Sequence, residues 1–267
     1  MNTVPEEWGH VRRPRSPHRL SSFVYDHLRH KRSIRLFQII PGLPIRLTLQ
    51  QSDLNKNPTY QAFSYTWGDA DDVEMIHVNG EQFTVRGNLY AFLEQLCLQG
   101  DTSTFWCDAI CINQEDTLER NHQVGFMGHI YRDAQKVLVW LGEDQIFTDD
   151  VLSIGLEAGS WPRAKKIHCP KLPLCEYHFF YYHLDYLLSA EYWYRTWIVQ
   201  EFLLAQEIEI LCGTSRAPLV VYQNLISLAC SRLKAVNGLE DRCQNSRDCS
   251  TSAVSDYDPG YAYGYRE

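Results

Sequence analysis

The sequence predicts a three-layer α/β sandwich built on a partly parallel sheet. Three observations carry that prediction. Strand-like and helix-like segments alternate from about residue 34 to about residue 236. The run from Lys136 to Leu141 is almost wholly apolar and stops at Gly142, as a strand covered on both faces does. Met75-Ile76-His77-Val78 and Gln82-Phe83-Thr84-Val85 flank Asn79-Gly80, a hairpin signal that adds an antiparallel region near the start.

Taken in order, Ile34 to Ile40 reads as a short strand ended by Pro41-Gly42, and Ile45 to Leu49 alternates as a half-buried strand. Tyr60 to Trp67 is a strand that breaks at Gly68-Asp69. From Asn88 to Leu98, Leu89, Phe92, Leu93 and Leu96 share one helical face. Thr104 to Ile112 looks like a strand ending in polar residues. Asp116 caps a helix reaching about Ala134, with Glu119 placed to complete a capping box. The stretch 143–180, with Pro162, Pro170 and Pro173, reads as an insertion or long loop with one short helix. His183 to Ala205 is helical with a break near Trp193, Ile208 to Leu211 is a strand, and Pro218 to Val236 a further helix. Residues 1–33 are expected to be a flexible basic arm, 34–240 the folded domain, and 241–267 a disordered tail.

The chain has 267 residues, enough for one substantial core, and a net charge of −8, which gives no reason to expect nucleic acid. The basic cluster of Arg12, Arg13, Arg15, Arg19, Arg29, Lys31, Arg32 and Arg35 reads as a solvated leader or surface edge. Its alternative is contact with anionic lipid, nucleic acid or a partner. No apolar run approaches the roughly 18 residues of a membrane span, and none resembles a secretory signal. Nine scattered cysteines, an odd number, fit a reducing compartment, and a cytoplasmic location is expected.

Three segments carry candidate chemistry. In Ser64-Tyr65-Thr66-Trp67-Gly68, Trp67 can stack on a flat ring and Gly68 admits close backbone approach, where a parallel strand ends. The same residues equally suit core and turn. Asp108-Ala109-Ile110-Cys111-Ile112-Asn113-Gln114 places a carboxylate just past a strand end, where a buried charge needs donors. Asn113 and Gln114 can hold ribose hydroxyls or fix their own loop. Arg120 follows on the next helix. In Arg195-Thr196-Trp197-Ile198-Val199-Gln200-Glu201, Trp197 and Glu201 lie one helical turn apart. Glu201 sits among apolar neighbours, so it must be paired, with Arg195 or a backbone donor, or used.

Cys111 lacks a placed base and is not expected to be a nucleophile. His168, Cys169, Cys175, His178 and His183 cluster in sequence but match no standard zinc arrangement, so no metal is expected. No dinucleotide fingerprint or phosphate loop is present.

Tyr60 to Gly68, Phe105 to Gln114 and Arg195 to Glu201 resemble, in order, the three motifs of the fungal heterokaryon-incompatibility domain. The likeness spans about residues 34 to 213, with Phe63 where leucine is usual and Cys107 where isoleucine is common. The resemblance implies a role in nonself recognition that leads to cell death. It also implies a distant relation to Toll/interleukin-receptor domains and a flavodoxin-like sheet. Some members of that wider group hydrolyse NAD, while others only assemble and signal. By that resemblance Glu201 is the catalytic carboxylate and Trp197 its neighbour beside nicotinamide. Ser64, Tyr65, Trp67 and Gly68 bound the entrance, and Asp108, Asn113 and Arg120 hold polar parts of the ligand. NAD or a related nucleotide is then a substrate rather than a cofactor. The implied alternative is a non-catalytic adaptor that self-associates or binds a partner protein.

Overall fold

A computed structural model describes residues 21–143, 151–156, 184–228 and 230. The elements follow the hydrophobic pattern closely. Strands β1 (Ser33–Ile40), β2 (Arg46–Asp53), β3 (Gln61–Tyr65), β4 (Val73–Val78) and β5 (Glu81–Arg86) lead into helix α1 (Gly87–Leu98). Then come β6 (Thr104–Trp106), α2 (Asp108–Cys111), α3 (Thr117–Asp133) and β7 (Lys136–Trp140). Helix α4 (Ile198–Leu204), β8 (Ile208–Cys212) and β9 (Ser215–Pro218) close the sheet. Residues 151–156, 184–189 and 219–228 are also helical.

The nine strands among the described residues form one mixed sheet in the order β5-β4-β2-β1-β6-β3-β7-β8-β9. Its centre, β6-β3-β7-β8, is parallel throughout, whereas β1 joins β2 and β6 antiparallel and both ends finish in antiparallel hairpins. The Asn79-Gly80 turn forms as predicted, with φ of 52° and 89°, the left-handed pair a tight hairpin turn demands.

Successive strand residues face opposite sides, and helices cover both. On one side Phe92 of α1 packs 4.3 Å from Phe63 and stacks 5.0 Å from Trp140 (ring centroids). Phe37 and Phe105 complete that cluster, 5.6 and 5.2 Å from Phe63. On the other side Trp106 meets Tyr131 of α3 edge-on at 5.6 Å. Tyr131 and Tyr60 then tie α3 to β3. The Tyr131 hydroxyl donates to the Phe63 carbonyl at 2.9 Å, and that of Tyr60 donates to the Ile130 carbonyl at 2.6 Å.

Several expectations need correcting. The strand read from Thr104 to Ile112 stops at Trp106. Asp108 Oδ1 accepts the Ala109 amide at 2.8 Å and Cys111 N–H bonds back to the Cys107 carbonyl, which turns the chain into α2. Arg35 is not part of a solvated edge. It is buried in β1, paired with Glu119 of α3 and bonded to the Cys111 and Asp26 carbonyls. Glu119 therefore does not complete a capping box. Asp116 does cap α3, accepting from Leu118 N and Glu119 N. Residues 21–33 lie against the domain: Ser22 and Phe23 bond to Gln82 of β5, and Tyr25 donates to the Ile110 carbonyl. The rest of the expected arm, most of the insertion and the tail lie outside the described residues. The helical run before Ala205 does break near Trp193, at a 3-10 turn over Glu191–Tyr194.

Candidate functional site

Parallel strands leave their carboxyl ends free for loops, and ligands gather there. At the ends of β3 and β6 lies a cleft of about 460 Å³. Thr66, Trp67 and Gly68 line it from the loop after β3, Asp108 from the start of α2, and Arg120 from α3. Arg195 and Trp197 line it from the segment entering α4, and Glu201 from α4 itself. The three candidate segments, far apart in sequence, thus converge on one space.

The loop after β3 is held from several directions. Gly68 has φ +74°, a left-handed conformation that favours glycine, and a Cβ there would lie 3.3 Å from Asn88 Cβ, a tight contact. Asn88 donates to the Thr66 carbonyl and accepts Trp140 Nε1 at 2.9 Å, which ties the ends of β3 and β7 together. Arg86 donates to the Gly68 carbonyl at 2.8 Å and lies over the Trp67 ring, 5.0 Å from its centroid. Trp67 Nε1 donates to Asp108 Oδ2 at 3.0 Å. Trp67 is therefore a fixed wall, with one ring face taken by a cation and its N–H already used. Thr66 Oγ1 is buried and has no hydrogen-bond partner among the described residues.

Asp108 collects Trp67, the Ala109 amide and a longer bond from Tyr65 at 3.4 Å. Burial still pushes its carboxyl above the ordinary range, because those donors only partly replace water. Gln114 donates to the Asp108 carbonyl at 2.8 Å, and Arg120 donates to the Gln114 carbonyl at 3.2 Å.

Glu201 stands at the inner end of the cleft, 1% exposed. It accepts from both outer nitrogens of Arg195, at 3.2 and 3.1 Å, and from Ser64 Oγ. Burial raises its carboxyl, while Arg195 and the Ser64 bond favour the charge. On Arg195, burial works against the guanidinium charge, but Glu201, Tyr131 and Tyr192 together outweigh it and the cation is held more firmly than usual. Arg195 also lies over the Tyr192 ring, 5.5 Å from its centroid.

The predicted residues divide clearly. Trp67, Gly68, Asp108, Arg120, Trp197 and Glu201 share the cleft. Ser64 and Tyr65 are buried beneath it rather than at its entrance; Ser64 reaches Glu201 from behind, and Tyr65 reaches Asp108. Asn113 borders a separate hollow with Phe23 and Tyr25, and its side chain accepts the Glu115 amide at 3.2 Å, so it fixes its own loop. Trp197 and Glu201 are one turn apart as expected, with Trp197 49% exposed at the rim.

Sequence reasoning missed Tyr192 altogether. Arg195 entered it only as a structural partner. The Arg195–Glu201 spacing of six residues is not helical, and the pair meets because Arg195 is extended (φ −76°, ψ 134°) between the 3-10 turn and α4. Cys107 and Cys111 are buried, with the Cys111 thiol pushed up to about 12 by burial, which suits neither for nucleophilic work. The five His and Cys residues considered for metal lie outside the described residues. Among the described residues, no three His, Cys, Asp or Glu side chains gather as they would around a metal ion. No helix among them is long and apolar enough to cross a membrane.

Comparison with known proteins bears on this arrangement. The family model described as heterokaryon incompatibility protein (HET) matches residues 60–201, from the start of the first motif to Glu201 itself. Heterokaryon incompatibility protein 6, OR allele, of Neurospora crassa is 27% identical over 226 residues, which cover 70% of this chain and 32% of that protein. The chain thus spans about a third of the curated relative's length. No solved structure matches it.

Proposed function

The chain belongs to the heterokaryon-incompatibility family, and from that premise we propose that it is a cell-death effector domain that hydrolyses NAD at the nicotinamide–ribose bond. One observation carries this reading: Glu201 lies in the same cleft as the loop after β3, 460 Å³ of space at the carboxyl ends of parallel strands. The central strand order β6-β3-β7-β8 also supports the flavodoxin-like, Toll/interleukin-receptor-like relation, since the first of the four in sequence lies between the second and the third.

The chemistry asks little of the protein. The C1′–N bond of NAD breaks with its electron pair passing to the pyridinium nitrogen, so nicotinamide leaves neutral and no general acid is needed. Positive charge develops on the ribose, where the carboxylate of Glu201 stabilises it and orients the ribose hydroxyls. Water adds to C1′, a proton passes to solvent, and ADP-ribose remains. Trp67 and Trp197 bound the flat rings, and Arg120 takes diphosphate. Asp108 keeps Trp67 in place.

The test is chromatographic measurement of NAD, nicotinamide and ADP-ribose over a range of protein concentrations, since assembly is expected to complete some sites of this kind. Product formation by the wild type and not by Glu201→Gln supports the reading; equal rates remove Glu201 from the mechanism.

A second reading, a non-catalytic self-associating adaptor, is favoured by a different observation. Helix α4 exposes Val199 and Leu203, 56% and 78%, one turn apart. Cell death lost on Leu203→Glu but kept on Glu201→Gln would select it.

A further inference from the structure

We propose that the Arg195–Glu201 ion pair is a charge-exchange latch, opened by a ligand that carries an anion and a cation together. The proposal rests on the cleavage reading for its substrate and on the pair itself for its mechanism. Both residues line the cleft, but Glu201 is 1% exposed and the Arg195 side chain 20%. Arg195 is thus the more exposed partner and the first that an incoming anion meets. It engages Glu201 through its two outer nitrogens, and a guanidinium has five N–H donors, so others are left for a ligand.

At rest this pairing works against catalysis. A carboxylate neutralised by a forked guanidinium cannot lend its full charge to a ribosyl cation. A diphosphate entering the cleft competes for the same fork, which fits phosphate oxygens as well as carboxylate oxygens. As Arg195 turns toward the diphosphate, Glu201 loses its counter-charge in a place that water hardly reaches.

The fate of that charge depends on the groups facing Glu201. They are Arg195 and Tyr192 from the segment before α4, Ser64 on β3, Tyr131 on α3 and Asp108 on α2. Glu191 and Arg120 line the same cleft. Arg195 is the only cation bonded to the carboxylate among the described residues. Once Arg195 is drawn off, the buried charge must meet a cation brought by the ligand or take up a proton. NAD brings the cation, on its nicotinamide-ribosyl group, and so exchanges partners with both halves of the pair. ADP-ribose has the diphosphate alone and leaves Glu201 only the proton. The latch therefore selects a zwitterionic nucleotide with a diphosphate and a positively charged leaving group. The reduced dinucleotide, whose nicotinamide is neutral, does not satisfy it.

Isothermal titration calorimetry of the whole chain at about pH 7, in two non-phosphate buffers of unlike ionisation heat, counts the protons taken up on binding. The ligands are ADP-ribose and carba-NAD, a non-cleavable analogue that keeps the pyridinium. ADP-ribose is expected to bind with uptake of a large fraction of a proton, and carba-NAD with little or none. Glu201→Gln is expected to bind ADP-ribose without uptake, and Arg195→Gln to bind it about tenfold more weakly or worse. Equal uptake with both ligands, no binding of ADP-ribose, or undiminished binding by Arg195→Gln each overturns the latch. The two-ligand comparison uses wild-type protein alone, so it holds even if a variant fails to fold. NAD turnover is scored separately: ligand-dependent uptake without cleavage keeps the latch and sinks the hydrolase.

Discussion

Ser64 on β3 donates its hydroxyl proton to Glu201 on α4, 137 residues further along the chain. The same Ser64 oxygen lies 2.6 Å from the Tyr192 hydroxyl. With the serine proton committed to the carboxylate, Tyr192 must be the donor at that contact. The result is a directed chain, Tyr192 to Ser64 to Glu201, that fixes the acid against the central strand from the side opposite the cleft.

Ser64→Ala breaks both links at once. Tyr192, 1% exposed, is left with an unmet hydroxyl, and Glu201 loses a donor. The expected loss is about 1–3 kcal/mol of unfolding free energy in a urea titration. A change below about 0.5 kcal/mol would mean that the chain of hydrogen bonds is not maintained in solution.

The Arg35–Glu119 pair bears on the fold rather than the cleft. Its side chains are 3% and 8% exposed, and Glu119 also accepts the Asn113 amide at 2.8 Å. Glu119→Ala strands the guanidinium, although the Cys111 and Asp26 carbonyls still take part of it. We expect a destabilisation near the lower end of the ~3–5 kcal/mol typical of a broken buried pair, measured by denaturant unfolding. Arg35→Met with Glu119→Leu should recover most of it.

The Arg35–Glu119 pair and the Tyr192–Ser64–Glu201 chain also mark where the sequence stops being readable. Local patterns announce local structure: Asn79-Gly80 declares its turn, Asp116 its helix cap, and Lys136–Leu141 a strand covered on both faces. The motif residues Trp67, Asp108 and Glu201 could be singled out because Trp67 and Asp108 follow strand ends and Glu201 is a carboxylate among apolar neighbours, although the same residue types also suit core and turn. Arg35, by contrast, looks like one more member of a basic run. Only the meeting of β1 with α3 shows that it is buried. Arg195 is a partner the sequence itself suggests for Glu201, and the two do pair, but Tyr192 reaches Ser64 from a 3-10 turn, a geometry no periodicity reveals. Strand β9 went unread because Ser215–Pro218 ends in proline and is only four residues long; as the sheet's edge it can tolerate that residue.

Asp108 supplies a pH test. Its folded carboxyl is raised by burial, so the native state holds this proton more firmly than the unfolded chain does. That contribution to stability is fully present below the ordinary carboxyl range, about pH 4, and is lost as pH rises through the folded value. Asp108→Asn removes the loss while keeping an acceptor for Trp67. Melting curves from about pH 4 to 8 should show the variant gaining on the wild type as pH rises. A gap that is constant across that range, or that widens toward acid, would contradict the assignment.

The central claim is that Glu201 confers cleavage of NAD. Its most direct measurement is the rate of nicotinamide release by wild-type protein and by Glu201→Gln, at concentrations where circular dichroism shows both to be folded. We expect the wild type to release nicotinamide and ADP-ribose in equal amounts, and the variant to do so at a rate about 10²–10³-fold lower. Matching rates in the two folded proteins, or no release by the wild type at any concentration, would contradict it.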